Sequence, residues 1–316
     1  MRAPSRLLAS AATPQTGEAR SARSLILLLV QGSFLVAMTV IVVTKLWQDH
    51  IWIGFALVAV TTAVWLPELS RPRARRWWFA YVAGIFAYTL LRSYADNTGI
   101  PTQTMYVIDA DHLLFFGNDP VVWLQSHLFS PGRITPLDFA TVQVHWSFFL
   151  APHIAAILIF IWRRDAFPRY ALVVVGTMYL GLLLFFLVPT TPPWLAARAG
   201  VLPEGFRIMD FVGGSVNADT YRTFSASIGG PNAVAAMPSI HMGVTFAMYL
   251  WARENQPRFA PWLLLYTAIM GFSLIYMAEH YVLDLFAGMA CAWVCHIVVK
   301  RILRDREPVL APVPES

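Results

Sequence analysis

Charge is scarce in this chain: only 13% of its 316 residues are Asp, Glu, Lys or Arg, while 57% are hydrophobic and the mean hydropathy is +0.56. Soluble domains carry about 25% charged and about 45 to 50% apolar residues, so the composition excludes a water-soluble globule and points to an integral membrane protein. Cysteine is nearly missing as well. The two present, Cys291 and Cys295, stand one helical turn apart, a spacing that suits apolar packing and gives neither a disulfide framework nor a redox pair. A clustered basic face is also lacking: the net charge of +5 is spread over several separate segments, which gives no support to a nucleic-acid partner. No internal repeat is evident. No small-x-small cleavage site follows Val43, so the first apolar run reads as a retained anchor rather than a removed signal.

What is abundant is apolar runs. A hydrocarbon core needs about 20 apolar residues per helical crossing, and lipid leaves no other partner for the backbone. Eight runs qualify, at about 24–44, 51–66, 77–92, 140–162, 170–188, 239–252, 260–278 and 280–299. Trp47, Trp65, Trp77, Trp78, Trp162, Trp251 and Trp262 lie near their ends, where interfacial aromatics belong. The fold expected is all-α and polytopic, with about eight transmembrane helices. Placing both termini in the cytoplasm leaves six of the 23 basic residues outside, namely Lys45, Arg92, Arg133, Arg198, Arg207 and Arg222. That arrangement obeys the positive-inside rule at each short loop.

The organisation follows. Residues 1–23 and 300–316 read as cytoplasmic tails, 24–92 as N-terminal transmembrane helices and 140–299 as a helical core. Residues 93–139 are outside and contain two mixed polar and apolar stretches, the second opening on Asp119-Pro120, which suits helices lying at the membrane surface. The connection 189–238 is long and rich in Gly and Pro, the form of a substrate-shaping lid.

Ionisable groups at membrane depth cost roughly 2.5 to 3.5 kcal/mol each, so their presence calls for a function. Pro238 is placed to open a helix with Ser239, Ile240 and His241 in its first turn, where free amides and a partial positive charge favour an anion such as phosphate. His280 and Asp284 stand four apart; on one helix face the carboxylate would orient one imidazole nitrogen and leave the other free. Each pattern alone is common. Together they are separated by one helix in and one helix back, so both histidines arrive on the same outer face, joined there by Pro189 to Trp194.

Pro189-Thr190-Thr191-Pro192-Pro193-Trp194, Met237-Pro238-Ser239-Ile240-His241 and Ile275-Tyr276-Met277-Ala278-Glu279-His280-Tyr281-Val282-Leu283-Asp284 resemble the three motifs of the type 2 phosphatidic acid phosphatase superfamily, and most of all its inositol phosphorylceramide synthase-like branch. The resemblance covers about 170–299 and implies a phosphatidic acid phosphatase-like helical core. It also implies a mechanism without metal or other cofactor: His280 attacks phosphorus, Asp284 orients it, and His241 protonates the departing alcohol. Ser239 and Tyr276 become candidate substrate-binding residues. The superfamily's commoner first motif has a lysine and an arginine and its third has Ser-Arg, whereas here Leu274 follows Ser273. A phosphoryl group in transfer needs cationic stabilisation, and Arg92 and Arg198 are the candidates for it.

The chain is therefore expected to be a multi-pass cell-membrane enzyme with an extracytoplasmic site. It would act on a phospholipid or polyprenyl-phosphate as phosphatase or phosphotransferase. Two other readings stay open, a non-catalytic transporter or binding protein using the same pocket, and a zinc hydrolase with His241, His280 and Asp284 as ligands. His50, His112, His127, His145 and His153 fit no compact ligand motif and read as structural. Oligomeric state is not legible.

Overall fold

Two helices among the described residues start where a proline follows a capping side chain. Asp119 accepts a hydrogen bond from the Val122 amide (3.0 Å) with Pro120 in the first helical position, and Thr135 and Asp138 cap each other's amides across Pro136. The computed structural model describes residues 72–92, 94–95, 99–227 and 234–304. Among them run the helices α1 (Pro72–Arg92), α2 (Met105–Leu114), α3 (Pro120–Leu128), α4 (Pro136–Ser147), α5 (Ala151–Trp162) and α6 (Phe167–Leu187). After these come α7 (Pro193–Arg198), α8 (Ile208–Ser227), α9 (Ile240–Asn255), α10 (Ala260–Tyr276) and α11 (Val282–Arg304). No β-strand occurs among the described residues; one parallel bridge pairs Thr190 with Ala235.

The centre of the fold is α9, packed against α6, α10 and α11, with α1 on the outer side of α6 and α4 against α10. Glycines set the closest of these approaches. A Cβ at Gly243 of α9 would lie 2.8 Å from the Gly288 carbonyl oxygen of α11, and one at Gly288 would collide with the Ser239 carbonyl. The two helices thus touch backbone to backbone, the device by which small residues hold helices together in lipid.

Among the described residues three helices are long and apolar enough to cross a membrane, Arg164–Leu187, Pro257–Tyr276 and Val282–Leu303, each including a short 3₁₀ turn or a trimmed end where the ranges differ from those above. A fourth arises if α4 and α5 form one span bent by 45°. The run at 140–162 is therefore not the single helix expected. Pro152 lacks the amide that would bond the Phe148 carbonyl, and the chain breaks over residues 148–150. The runs at 77–92 and 239–252 form α1 and α9, which are not among the spans. α9 has 16 residues, about 24 Å at the ~1.5 Å rise of a helix. The expected spans 24–44 and 51–66, and both tails apart from 300–304, lie outside the described residues.

Segment 189–238 is not a plain loop. It forms α7 and α8, and Ile208, Met209 and Val212 are buried with Phe129, Val142, Tyr276 and Met277. The 93–139 segment forms α2 and α3 as its composition suggests, and leaves Leu113, Phe116 and Trp123 exposed at the surface.

Candidate active site

The three motifs meet through backbone contacts. The Thr190 amide donates to the Val234 carbonyl (2.7 Å) and the Ala236 amide to the Thr190 carbonyl (3.1 Å), which binds the first motif to the approach of the second. The Trp194 amide donates to the Ala278 carbonyl (3.0 Å), which binds the first to the third. The Ser239 amide donates to the Asp284 carbonyl (2.9 Å), closing the triangle.

In the second motif Pro238 does not open the helix. It follows Met237 through a cis peptide bond, Ser239 is the N-cap, and α9 begins at Ile240. The Ser239 hydroxyl accepts from the Met242 amide (3.3 Å) and is fully buried. His241 therefore sits in the first turn, as the sequence suggests, but two residues nearer the helix start.

The third motif differs more. His280 is not on the helix with Asp284; it lies two residues before α11, in the turn that follows α10. Ala278 in that turn has φ +60°, a left-handed conformation that costs a non-glycine residue about 1 kcal/mol or more. Tyr281 is the residue before the helix, and Asp284 at the third helical position folds back to accept the Tyr281 amide (2.8 Å) and meets His280 Nδ1 at 3.3 Å. The His280 to Asp284 contact predicted from spacing thus forms through capping geometry rather than a shared helix face. Asp284 Oδ1 has no hydrogen-bond partner among the described residues.

The His241 and His280 rings meet edge to face, with centroids 5.8 Å apart and planes inclined by 61°. His241 is flanked by Phe148 (4.3 Å), at the break between α4 and α5, and by His145 (4.6 Å). His145 is buried, its Nδ1 without a partner among the described residues; sequence reading set it aside as structural. Its only signal was a polar residue in an apolar run, which did not say what it faced.

Of the two predicted clamp arginines, Arg92 lies at the end of α1, close enough to His145 and His241 for its charge to act on both. Arg198 is placed differently: its guanidinium is mostly exposed, 3.2 Å from Asp210 and 4.8 Å from the Trp194 ring. Arg207 is buried and was not singled out as a clamp from sequence. It donates to Glu279 (2.8 Å), the neighbour of His280, and to Asp210 (2.9 Å), and its guanidinium also lies over the Trp194 ring at 4.8 Å. Burial would lower the Arg207 pKa, but the Glu279 and Asp210 carboxylates outweigh it and raise it. Tyr276 stands apart from the histidines' polar groups: it is fully buried, its hydroxyl donates to Asp138 (2.5 Å), and its carbonyl accepts from the Gln125 side chain (2.7 Å). Those contacts make it a packing pillar between α10, α3 and α4.

Among the described residues no three His, Cys, Asp or Glu side chains converge as a metal-binding group. What the helices build is a membrane-type bundle with two opposed imidazoles, one backed by a carboxylate and the other set in a helix's first turn. Residues 107–298, more than half of the chain, match the PAP2 superfamily, and the chain belongs to that family. It is 25% identical over 166 residues to the inositol phosphorylceramide synthase catalytic subunit of Schizosaccharomyces pombe, covering 50% of this chain and 38% of that one. To the phosphoinositol dihydroceramide synthase of Bacteroides thetaiotaomicron it is 26% identical over 184 residues, covering 50% of this chain and 58% of the relative. The match thus spans well under two thirds of each relative's length. The crystal structure of Aquifex aeolicus LpxE overlaps 57% of this chain and 93% of its own, with TM-score 0.43 and 17% identity.

Proposed function

We propose that this chain is a membrane-embedded enzyme that breaks a phosphate ester of a lipid and passes the phosphorus group, by way of His280, to a second acceptor. The observation that carries the reading is the opposed pair: His280 with Asp284 behind its Nδ1, and His241 with its ring centroid 5.8 Å away. Asp284 holds one nitrogen, so Nε2 of His280 is the nucleophile. It forms a bond to phosphorus as the ester P–O bond breaks, and the departing alkoxide takes a proton from His241. In the second half an acceptor hydroxyl gives its proton to His241, its oxygen bonds phosphorus, and the P–N bond breaks, restoring His280. Arg92 and the first amides of α9 would balance charge on the phosphoryl oxygens.

The two named relatives are synthases of inositol phosphorylceramide and of phosphoinositol dihydroceramide. We extend that to transfer of a phosphoalcohol group from a phospholipid to an alcohol, with water as the competing acceptor. The test is incubation of the purified protein with a headgroup-labelled phospholipid, with and without candidate alcohols. Label moving to the alcohol supports transfer; free phosphate or phosphoalcohol alone means hydrolysis. If His280→Ala turns over as fast as the wild type, the pocket is a binding site and the enzymatic reading fails.

We also place the histidine end outside the cell and both termini in the cytoplasm, in an eight-span chain. Support comes from the far end of the bundle, where Arg169 at the start of α6 and Lys300 late in α11 meet Glu254 near the end of α9. Basic residues collect there, as cytoplasmic ends require. Single cysteines replacing Phe116 and Arg258 check it: an impermeant maleimide on intact cells should label the first and spare the second, and the reverse pattern overturns the orientation.

A further inference from the structure

The start of α11 has its free amides capped from far away in the chain. Tyr281 stands at the N-cap and has no capping oxygen of its own. In its place the Asp111 carboxylate of α2 accepts from the Val282 amide (2.9 Å) and the Leu283 amide (3.1 Å), across 171 and 172 positions of sequence. Asp111 is fully buried. With Asp284 taking the Tyr281 amide (2.8 Å), three successive donors at the start of this helix are held by two carboxylates.

The same helix also holds the first motif. Tyr106 of α2 shares a hydrogen bond with the Thr190 hydroxyl (2.7 Å), and the Gln103 amide, just before α2, donates to the Pro189 carbonyl (2.9 Å). Between those points Val107 and Ile108 are buried with Ala196 and Tyr281. One face of α2 thus braces both the loop before α7 and the turn that carries His280.

Resting on the reading of His280 as nucleophile, we propose that Asp111 is a positioning residue for it: by clamping the Val282 and Leu283 amides it fixes the turn from which the imidazole projects. A surface cap would need no burial, and its loss would leave the turn free to close on its own. Here the capping oxygens come from another element, so the turn's position relative to the first motif depends on them. Burial pushes the Asp111 carboxyl up to about 6, while the two amides draw it down and the charges of Asp284 and Asp119 add to the rise. The two amide contacts, which favour the ionised carboxylate, are what hold the turn. A phosphate at the start of α11 would meet Asp111 and Asp284, which directs the substrate anion to the start of α9 instead.

The variant is Asp111→Asn, which keeps the size and loses one of the two acceptors. Phosphatidic acid labelled in its phosphate and phosphatidylinositol labelled in its headgroup are each mixed with excess full-length protein and quenched, and covalent label on the chain is followed in time. We expect the rate constant of labelling to fall roughly tenfold to a hundredfold, the scale of a misplaced reacting group, with the final amount of labelled chain and the KM little changed. Misfolding would instead lower the amount and leave the rate constant as it was, and that result overturns the proposal. An unchanged rate constant overturns it too, while His280→Ala, run alongside, must abolish labelling; persistent labelling there refutes the nucleophile itself. A readout independent of turnover is hydrogen exchange of the peptide containing Val282 and Leu283. It should exchange faster in Asp111→Asn with α6 unchanged, and equal protection refutes the clamp.

Discussion

Replacing Gly288 with alanine tests whether helix contact sets the catalytic spacing. The added Cβ would run into the Ser239 carbonyl oxygen and come within 3.1 Å of the Gly243 amide nitrogen. Both obstacles are backbone, so no rotamer change relieves them, and α9 and α11 must part by on the order of 1 Å to reach ordinary contact distances. Ser239 is the cap of the helix bearing His241, and its amide holds the Asp284 carbonyl (2.9 Å), so the separation acts directly on the 5.8 Å between the two imidazoles. Overpacking of this kind costs about 1 to 3 kcal/mol of stability, and a misplacement of about 1 Å can cost about a hundredfold in rate. The expected outcome is a kcat lowered by one to two orders of magnitude with a modest fall in Tm, measured in the same detergent as the wild type. Gly176→Ala is the control: its Cβ meets the Cys295 side chain, the sulfur at 3.4 Å and Cβ at 3.7 Å, and should leave both quantities near wild type. A Gly288→Ala protein with wild-type turnover would refute the argument that this glycine contact fixes the site.

His241→Ala should slow an alkyl phosphate far more than an activated aryl phosphate, because only the poor leaving group needs its proton, whereas His280→Ala should abolish both. Rescue of His280→Ala but not of His241→Ala by the aryl ester would reverse the roles. His145→Phe keeps a ring against His241 and removes the buried ring nitrogens; turnover of the alkyl ester should fall about tenfold, which corresponds to about 1.4 kcal/mol in the barrier, and equal rates would reduce His145 to packing. At the other end of the bundle, burial raises the Glu254 pKa, but Lys300, Arg169 and His296 outweigh it and bring it to about 2. A depressed carboxyl stabilises the fold above its ordinary value of 4.5 and loses that effect as pH falls toward 2. Glu254→Gln should therefore lower stability by about 1 kcal/mol at neutral pH, after solvent screening, and the gap in Tm should close on acidification; a gap independent of pH would contradict the ion-pair account.

Composition is enough to assign the membrane class, because so apolar a chain has no soluble core, and the three motifs are legible in the order of residues. His241, His280 and Asp284 are local enough for spacing to reveal: each motif is a few residues long, and one helical hairpin joins them. The sequence also told where helices begin, at Asp119-Pro120 and near Ser239, since capping is chemistry between near neighbours. Tertiary structure decided what depends on chain segments meeting through space. Asp111 lies 171 positions from the amide it caps, and no period in the sequence links the two. Arg207 reaches Glu279 across 72 positions, and His145 near the end of α4 meets the His241 ring of α9 at 4.6 Å, a contact between helices far apart in sequence. Tyr276 sits inside a motif yet turns its hydroxyl to Asp138, a direction set by the packing of α10 on α4 rather than by the motif. Hydrogen-bond chemistry within a few residues is written in order along the chain, whereas the partners of a buried charge are chosen by helix packing, and packing is known only once the helices are in place.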